Sequence, residues 1–372
     1  VARKISSMIE PAILILRSDD ADSAGEALAI AREAGFDIKE VVYVKRVHSG
    51  CYLGPGTIEK IRKSLNGNGL KKICVYDELK PRHVACLMKE LNAEVVDKVM
   101  MILNVFQNHA GSREALLQIE IARLRHQLPL LRDWVRRAKL RELPGFLSLG
   151  RYAIDVYYRY ATKRIAKLSR ELEKLREVRA RERESRRSRG FAHVAIVGYT
   201  NAGKTTLFNA LTNLVKPTGT EMFTTLSPKS YLVRVCGHSA ILVDTIGFIK
   251  NIPVGIIEAF KAVLEEISTA DAIMLVVDGS RDLSQIENEL RTAFSILKDI
   301  GCTSKPLVAV LNKVDLVSEQ LDRRIELVRS LVAEYGAPLI DVVPVSALKR
   351  INIGNLKEAL CRAVELIQKN LA

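Results

Sequence analysis

The stretch Gly198-Tyr-Thr-Asn-Ala-Gly203-Lys204-Thr205 limits the fold of this chain more than any other. It follows the apolar run Val194–Val197 and opens the helical pattern Thr206–Leu211. A buried strand, a glycine-rich turn and a helix N-terminus in that order aim a row of backbone N–H groups at one spot, a cradle for a polyphosphate. Lys204 adds a point charge there, Thr205 a hydroxyl for Mg²⁺, and Asn201, Ala202, Gly203 and Thr206 complete the expected contacts. The apolar runs Ala240–Val243, Ala272–Val277, Leu307–Leu311 and Asp341–Val345 predict the rest of a doubly wound sheet, with its ligand at the C-terminal strand ends.

Four further strings fall just after such strands or in loops: Phe223-Thr-Thr225-Leu226, Asp244-Thr-Ile-Gly247, Asn312-Lys313-Val-Asp315 and Ser346-Ala347-Leu348. In this order they predict a GTP-binding switch. Thr205, Thr225 and Asp244 are the expected Mg²⁺ ligands, and Lys204, Thr225 and the Gly247 amide the expected catalytic groups around the γ-phosphate. The Asp315 carboxylate suits the N1–H and 2-amino donors of guanine, which adenine lacks, while Asn312, Lys313, Ser346 and Ala347 frame the base. Phe248 stands where GTPases commonly carry a water-orienting glutamine, so intrinsic hydrolysis is expected to be slow until a partner orders the switches.

The remainder of the 372 residues is too long for one core and reads as residues 1–110, an N-terminal α/β domain; 111–190, a basic helical hairpin; 191–350, the GTP-binding domain; and 351–372, a closing helix. The N-terminal strand candidates are Ala12–Leu16, Glu40–Val44, Lys72–Tyr76 and Ala93–Asp97, separated by helical stretches. In the hairpin, Leu117, Ile121, Leu124, Leu128, Leu131, Val135 and Ala138 recur at alternating spacings of 4 and 3, as do Ile154, Tyr158, Ala161, Ile165, Leu168, Leu172 and Leu175. That is a coiled-coil seam written twice, folded back at Pro144, Gly145 and Gly150, with Pro129 expected to kink the first arm. The fold class is therefore α/β: a P-loop GTPase doubly wound sheet plus an N-terminal α/β domain with a long antiparallel coiled-coil hairpin.

Charge has an address. Residues 111–190 hold 22 Lys and Arg against 10 Asp and Glu, nearly all of the +14 carried by the whole chain. With the apolar seam turned inward, Arg123, Arg132, Arg136, Arg137, Lys163, Arg164, Lys167, Arg170, Arg179, Arg181 and Arg183 are expected to face water or nucleic-acid phosphate. No run approaches the roughly 18 apolar residues of a membrane span, and the N-terminus carries no export signal, so a cytoplasmic protein is expected. The six cysteines lack C-x-x-C spacing and are expected to be reduced core residues; a thermophile, weakly hinted at by composition, would be the exception.

Taken together, Gly198–Leu211, Phe223–Pro228, Asp244–Phe248, Tyr52–Lys60 and Leu117–Leu131 resemble the HflX branch of the translation-factor-related GTPases, over nearly the whole chain. The resemblance implies GTP/GDP and Mg²⁺ as cofactors, with the large ribosomal subunit and its rRNA as partners. It implies no DNA, no membrane and a monomer. It further implies that the protein binds ribosomes and splits stalled or idle ones, the alternative being an assembly module without splitting activity. Some members of that family use ATP at the N-terminal domain; here Gly54-Pro-Gly56 lacks a following Lys-Ser/Thr pair and reads as a structural turn. The tip Pro144–Gly150 departs from the family's glycine-rich, acidic stretch, and its Phe146 and Leu147 suit either RNA stacking or capping of the hairpin.

Overall fold

A computed structural model describes residues 9–110, 112–139, 151–187, 191–212, 229–245, 247–248, 267–317 and 319–371. The described residues form two compact units, one up to Lys174 and one from Leu175 onward.

The first unit is built on four parallel strands, β1 (Glu10–Arg17), β2 (Phe36–Val44), β3 (Lys72–Val75) and β4 (Glu94–Asp97), in the order β2-β1-β3-β4. Ala12 to Leu16 of the inner strand β1 are fully buried, as a parallel strand covered on both faces requires, and this is why the sequence shows a continuous apolar run there. The crossovers are α1 (Ala24–Glu33), α2 (Pro55–Gly67) and α3 (Pro81–Leu91), and α4 (Lys98–His109) follows β4. Gly54 caps α2 with Pro55 at its first position, so Gly54-Pro-Gly56 serves as a helix start. The loop before it is stitched down by a Cys51–Cys86 disulfide, by Tyr52 OH donating to Asp77 (3.0 Å) and by His83 Nε2 against the Ser49 carbonyl (3.1 Å).

Two long helices follow, α5 (Arg113–Lys139) and α6 (Arg151–Arg187). Arg113 pairs with Glu171 and Arg164 with Glu120, so the arms run antiparallel. Leu117, Ile121, Leu124 and Leu131 of one arm and Ala161, Leu168 and Leu172 of the other are buried along the seam. The helix is continuous through Pro129, and the tip with Phe146 and Leu147 lies outside the described residues. Arg132, Lys163, Lys167, Arg170 and Arg181 are exposed as expected, whereas Arg123 is not: its guanidinium is half-buried and donates to Asn104 (2.9 Å) and Gln107 (2.6 Å) of α4. Heptad spacing assumed a two-helix seam, but α5 also packs against α4, which turns Arg123 inward.

Asp97 joins α5 to this sheet. Its buried carboxylate caps α4 by accepting from Met100 N (3.0 Å) and binds His126 Nε2 at 2.8 Å. Burial pulls the His126 pKa down, but the Asp97 hydrogen bond and charge, with Glu78, outweigh it and raise the pKa above 6.5. A raised folded-state pKa means stability that is full below about pH 6.5 and is lost as pH rises through the folded value. Denaturant unfolding of the first unit is expected to show that fall, and His126→Gln to flatten it; an unchanged slope in the variant would assign the pH dependence elsewhere.

The second unit holds six strands, β5 (Ala192–Gly198), β6 (Lys229–Val235), β7 (His238–Asp244), β8 (Ala272–Asp278), β9 (Leu307–Asn312) and β10 (Leu339–Pro344), in the order β10-β9-β8-β5-β7-β6. All neighbours are parallel except the edge hairpin β6–β7. One face packs on α7 (Lys204–Thr212) and α10 (Ile353–Leu371) through Phe208, Leu211, Leu360 and Val364. The other packs on α8 (Leu283–Asp299) and α9 (Leu321–Glu334) through Leu290, Phe294, Val328 and Val332. The cysteines depart from expectation: besides Cys51–Cys86, Cys236 of the β6–β7 turn is bonded to Cys361 of α10, leaving Cys74 and Cys302 as buried free thiols. The bonded cysteines are 35 and 125 residues apart, distances over which sequence spacing carries no pairing signal. Among the described residues no helix is long and apolar enough to cross a membrane.

Candidate functional site

Central strand β5 ends at Gly198, and the chain turns through 199–203 into the N-terminus of α7. The turn is possible only with glycine at two places. Gly198 has φ +147, and a Cβ there would lie 2.1 Å from the Val276 carbonyl oxygen of β8. Gly203 has φ +90, and its Cβ would meet Asn312 Nδ2 at 2.3 Å. Asn201 sits beside it at φ +61, a conformation that Asn tolerates better than most residues. Helix α7 begins at Lys204, just after this turn, and anions are favoured at such a helix N-terminus.

Lys204 is buried, and its Nζ donates to the Tyr199 carbonyl at 2.6 Å. Burial drives its pKa down to about 8, against the opposing pull of Asp244. An anion arriving at this turn would favour the charged ammonium and raise that pKa again. Thr205 Oγ1 donates to Asp244 Oδ2 (3.2 Å) at the end of β7, so two hard oxygen donors meet beside the cradle. Thr206 lies on the same first turn of α7. Thr225 lies outside the described residues. Among the described residues no group of three or more His, Cys, Asp or Glu side chains could hold a metal.

The segment after Asp244 is pinned to the phosphate turn. Phe248 N donates to Gly198 O (2.9 Å), Thr200 N to Phe248 O (2.9 Å), and a Cβ on Gly247 would come within 2.7 Å of Thr200 Cα. Phe248 is 3 % exposed and belongs to the buried cluster that also holds Tyr199 and Ile267.

Asn312 joins three strand-end loops. Its Nδ2 donates to Ala202 O (2.8 Å) of the phosphate turn, while its Oδ1 accepts from Ala347 N (3.0 Å). Asp315, one turn on, is held ionised chiefly by a hydrogen bond from Ser346, with further help from its own backbone and from Lys349, whose Nζ is 3.5 Å away. Ser346 is itself fully buried. The sequence-predicted residues 201–206, 244, 247, 312, 313, 315, 346 and 347 therefore lie at the C-terminal ends of β5, β7, β9 and β10. One buried acid escaped that reading, Asp278, which ends the apolar run of β8 and accepts from Lys313 Nζ at 2.7 Å. Its signal was an acid directly after a strand of continuous apolar residues.

A phosphate turn on the central strand of this six-stranded sheet, tied through Asn312 to a carboxylate-bearing loop, defines the P-loop GTPase class. Residues 193–313 match the model of a 50S ribosome-binding GTPase, 109–186 that of a GTP-binding GTPase middle region and 21–107 that of a GTP-binding GTPase N-terminal region. The chain is 46 % identical over 363 residues to the GTPase HflX of Hyperthermus butylicus, covering 96 % of each, and 36 % identical to that of Saccharolobus solfataricus, covering 90 % of this chain and 94 % of the relative. It also matches the crystal structure of a GTP-binding protein from the hyperthermophilic archaeon Sulfolobus solfataricus in complex with GDP, at 30 % identity and TM-score 0.54, over 98 % of this chain and 100 % of that one. The chain belongs to the HflX family of GTPases.

Proposed function

We propose that this GTPase binds the large ribosomal subunit through its rRNA, in the cytoplasm, and uses GTP to split or recycle stalled or idle ribosomes. The observation that carries the reading is the exposed basic set Arg132, Lys163, Lys167, Arg170 and Arg181 on the paired helices α5 and α6. Such cations, far in excess of local carboxylates, suit a phosphate backbone and give sequence-independent, salt-sensitive affinity. The description of the family to which residues 193–313 belong, a 50S ribosome-binding GTPase, supports the same partner.

In the nucleotide site, the amides of Asn201, Ala202, Gly203, Lys204, Thr205 and Thr206 cradle the phosphates and Lys204 carries the charge between them. Asp315 accepts from guanine N1–H and its 2-amino group, while Asn312, Lys313, Ser346 and Ala347 frame the ring. Thr205 and Asp244, with Thr225, supply oxygen ligands that fit Mg²⁺, which when bound neutralises charge on the β- and γ-phosphates. The Gly247 amide senses the γ-phosphate, a reading supported by how closely its backbone approaches the phosphate turn, where an added Cβ would lie 2.7 Å from Thr200 Cα.

Phe248 is buried, and its phenyl ring cannot orient the attacking water by hydrogen bonding. Single-turnover hydrolysis is expected to be slow for the protein alone and to accelerate with ribosomes; fast hydrolysis without a partner would refute this. The partner itself is tested by sedimenting purified ribosomes with the protein and a GTP analogue, GDP or no nucleotide. Cosedimentation is expected with the analogue and to weaken steeply with salt, and free subunits in the gradient mark splitting. Binding that releases no subunits would favour the assembly role, and binding indifferent to salt and to reversal of Lys163, Lys167 and Arg170 would sink the RNA contact.

A further inference from the structure

Asp278 is 4 % exposed at the end of β8 and has no place among the phosphate, metal and guanine contacts proposed above. A buried carboxylate is costly unless charges and donors meet it. Here Oδ1 accepts from Ser280 N (3.1 Å) and Oγ (2.6 Å), and Oδ2 accepts from Lys313 Nζ (2.7 Å) with Arg281 Nε 3.6 Å off. The cation it holds most closely is the lysine between Asn312 and Asp315.

Lys313 is fixed at its other end by the backbone. Its φ is +65, a left-handed conformation that a non-glycine residue keeps only when its surroundings enforce it. On one side Gly279 N donates to Asn312 O (2.7 Å), in a gap so narrow that a Cβ on Gly279 would lie 2.8 Å from that oxygen; on the other Val314 N donates to Val345 O (3.2 Å). A lysine side chain with a free end loses considerable rotamer freedom when it is made to lie along a ligand. With both ends held, that loss is taken at folding.

We infer that Asp278 is a positioning residue which holds the Lys313 stem as a preformed rail for the guanine ring. It acts on the base alone and so sets affinity for GTP and GDP equally, without touching chemistry at the γ-phosphate. The inference rests on the guanine pocket proposed above, and one experiment separates the two. Dissociation constants for GTP and GDP, with kcat at saturating GTP, are measured for the full chain and for Asp278→Asn, Lys313→Met and the double variant.

Asp278→Asn is expected to raise both dissociation constants by the same factor, about tenfold, with kcat unchanged, and the double variant to bind no more weakly than Lys313→Met. Losses that multiply in the double variant, or nucleotide affinities equal to those of the unaltered chain, would overturn the inference. Full affinity in Lys313→Met would instead remove the pocket on which it rests. Should Asp278→Asn fail to fold, Ser280→Ala loosens the same carboxylate from its other side and is expected to raise both constants by one smaller, shared factor; unaltered or unequal constants there would overturn the inference equally.

Discussion

Asp315→Asn is expected to lower affinity for GTP by roughly 10³-fold and to raise affinity for xanthosine triphosphate by a similar factor. The magnitude follows from two hydrogen bonds to a charged acceptor, roughly 2 kcal/mol each. Guanine offers N1–H and a 2-amino group, both donors, and a carboxylate answers both. The Asn amide can answer only N1–H and sets its own NH₂ against the 2-amino group. Xanthine carries a carbonyl at C2, so the same amide then finds a donor and an acceptor in register. The site is prepared for the carboxylate: the Asp315 side chain is 7 % exposed, and Ser346 and then Lys349 favour its charged form. Because Asn312 separately ties Ala202 to Ala347, the substitution leaves the phosphate turn joined to the base loop. The exchange of preference should therefore appear without loss of nucleotide binding as such. Competition binding with the two triphosphates measures it, and GTP affinity unchanged in the variant would show that the base lies elsewhere.

What the sequence disclosed about this site was whatever depends on local spacing. The phosphate turn needs glycine at 198 and 203 because β8 and Asn312 press against the backbone there, and those needs are written into eight consecutive residues. The Asn312–Asp315 and Ser346–Ala347 strings each end or follow a buried strand, so their convergence follows from a parallel sheet. Contacts between distant elements were not legible. A two-helix seam places Arg123 outward, yet it faces α4 and donates to Asn104 and Gln107 there. Strand β6 escaped notice because an edge strand with Tyr231 and Leu232 exposed has no clean alternation. The contact of Asp278 with Lys313 joins residues 35 positions apart and has no local signature. The cysteine pairs join residues that only the folded chain brings within 5.2 and 5.8 Å, Cα to Cα.

Those pairs carry the other large effect. Opening Cys236–Cys361 is expected to cost the second unit roughly 5 kcal/mol, and opening Cys51–Cys86 roughly 4 kcal/mol in the first, from the unfolded-chain freedom released by loops of 125 and 35 residues. The first figure approaches the whole stability of an ordinary domain, so reductant should lower the melting temperature sharply. Its placement makes the effect functional as well. The β6–β7 turn opens strand β7, which ends at Asp244, and Cys361 anchors that turn to the closing helix α10, whose Leu360 and Val364 fill the core beneath α7. Loosening it should therefore lower nucleotide affinity as temperature rises, before global unfolding. The remaining thiols are poor agents of exchange: burial pushes Cys74 up to about 12 and raises Cys302 too, so neither supplies thiolate near neutral pH. Thiol titration in denaturant should count two free groups before reduction and six after. Melting curves with and without reductant should separate, and Cys236→Ser should reproduce the shift of the second unit alone. Six titratable thiols without reductant, or superimposed melting curves, would show that the cysteines work as a reduced core.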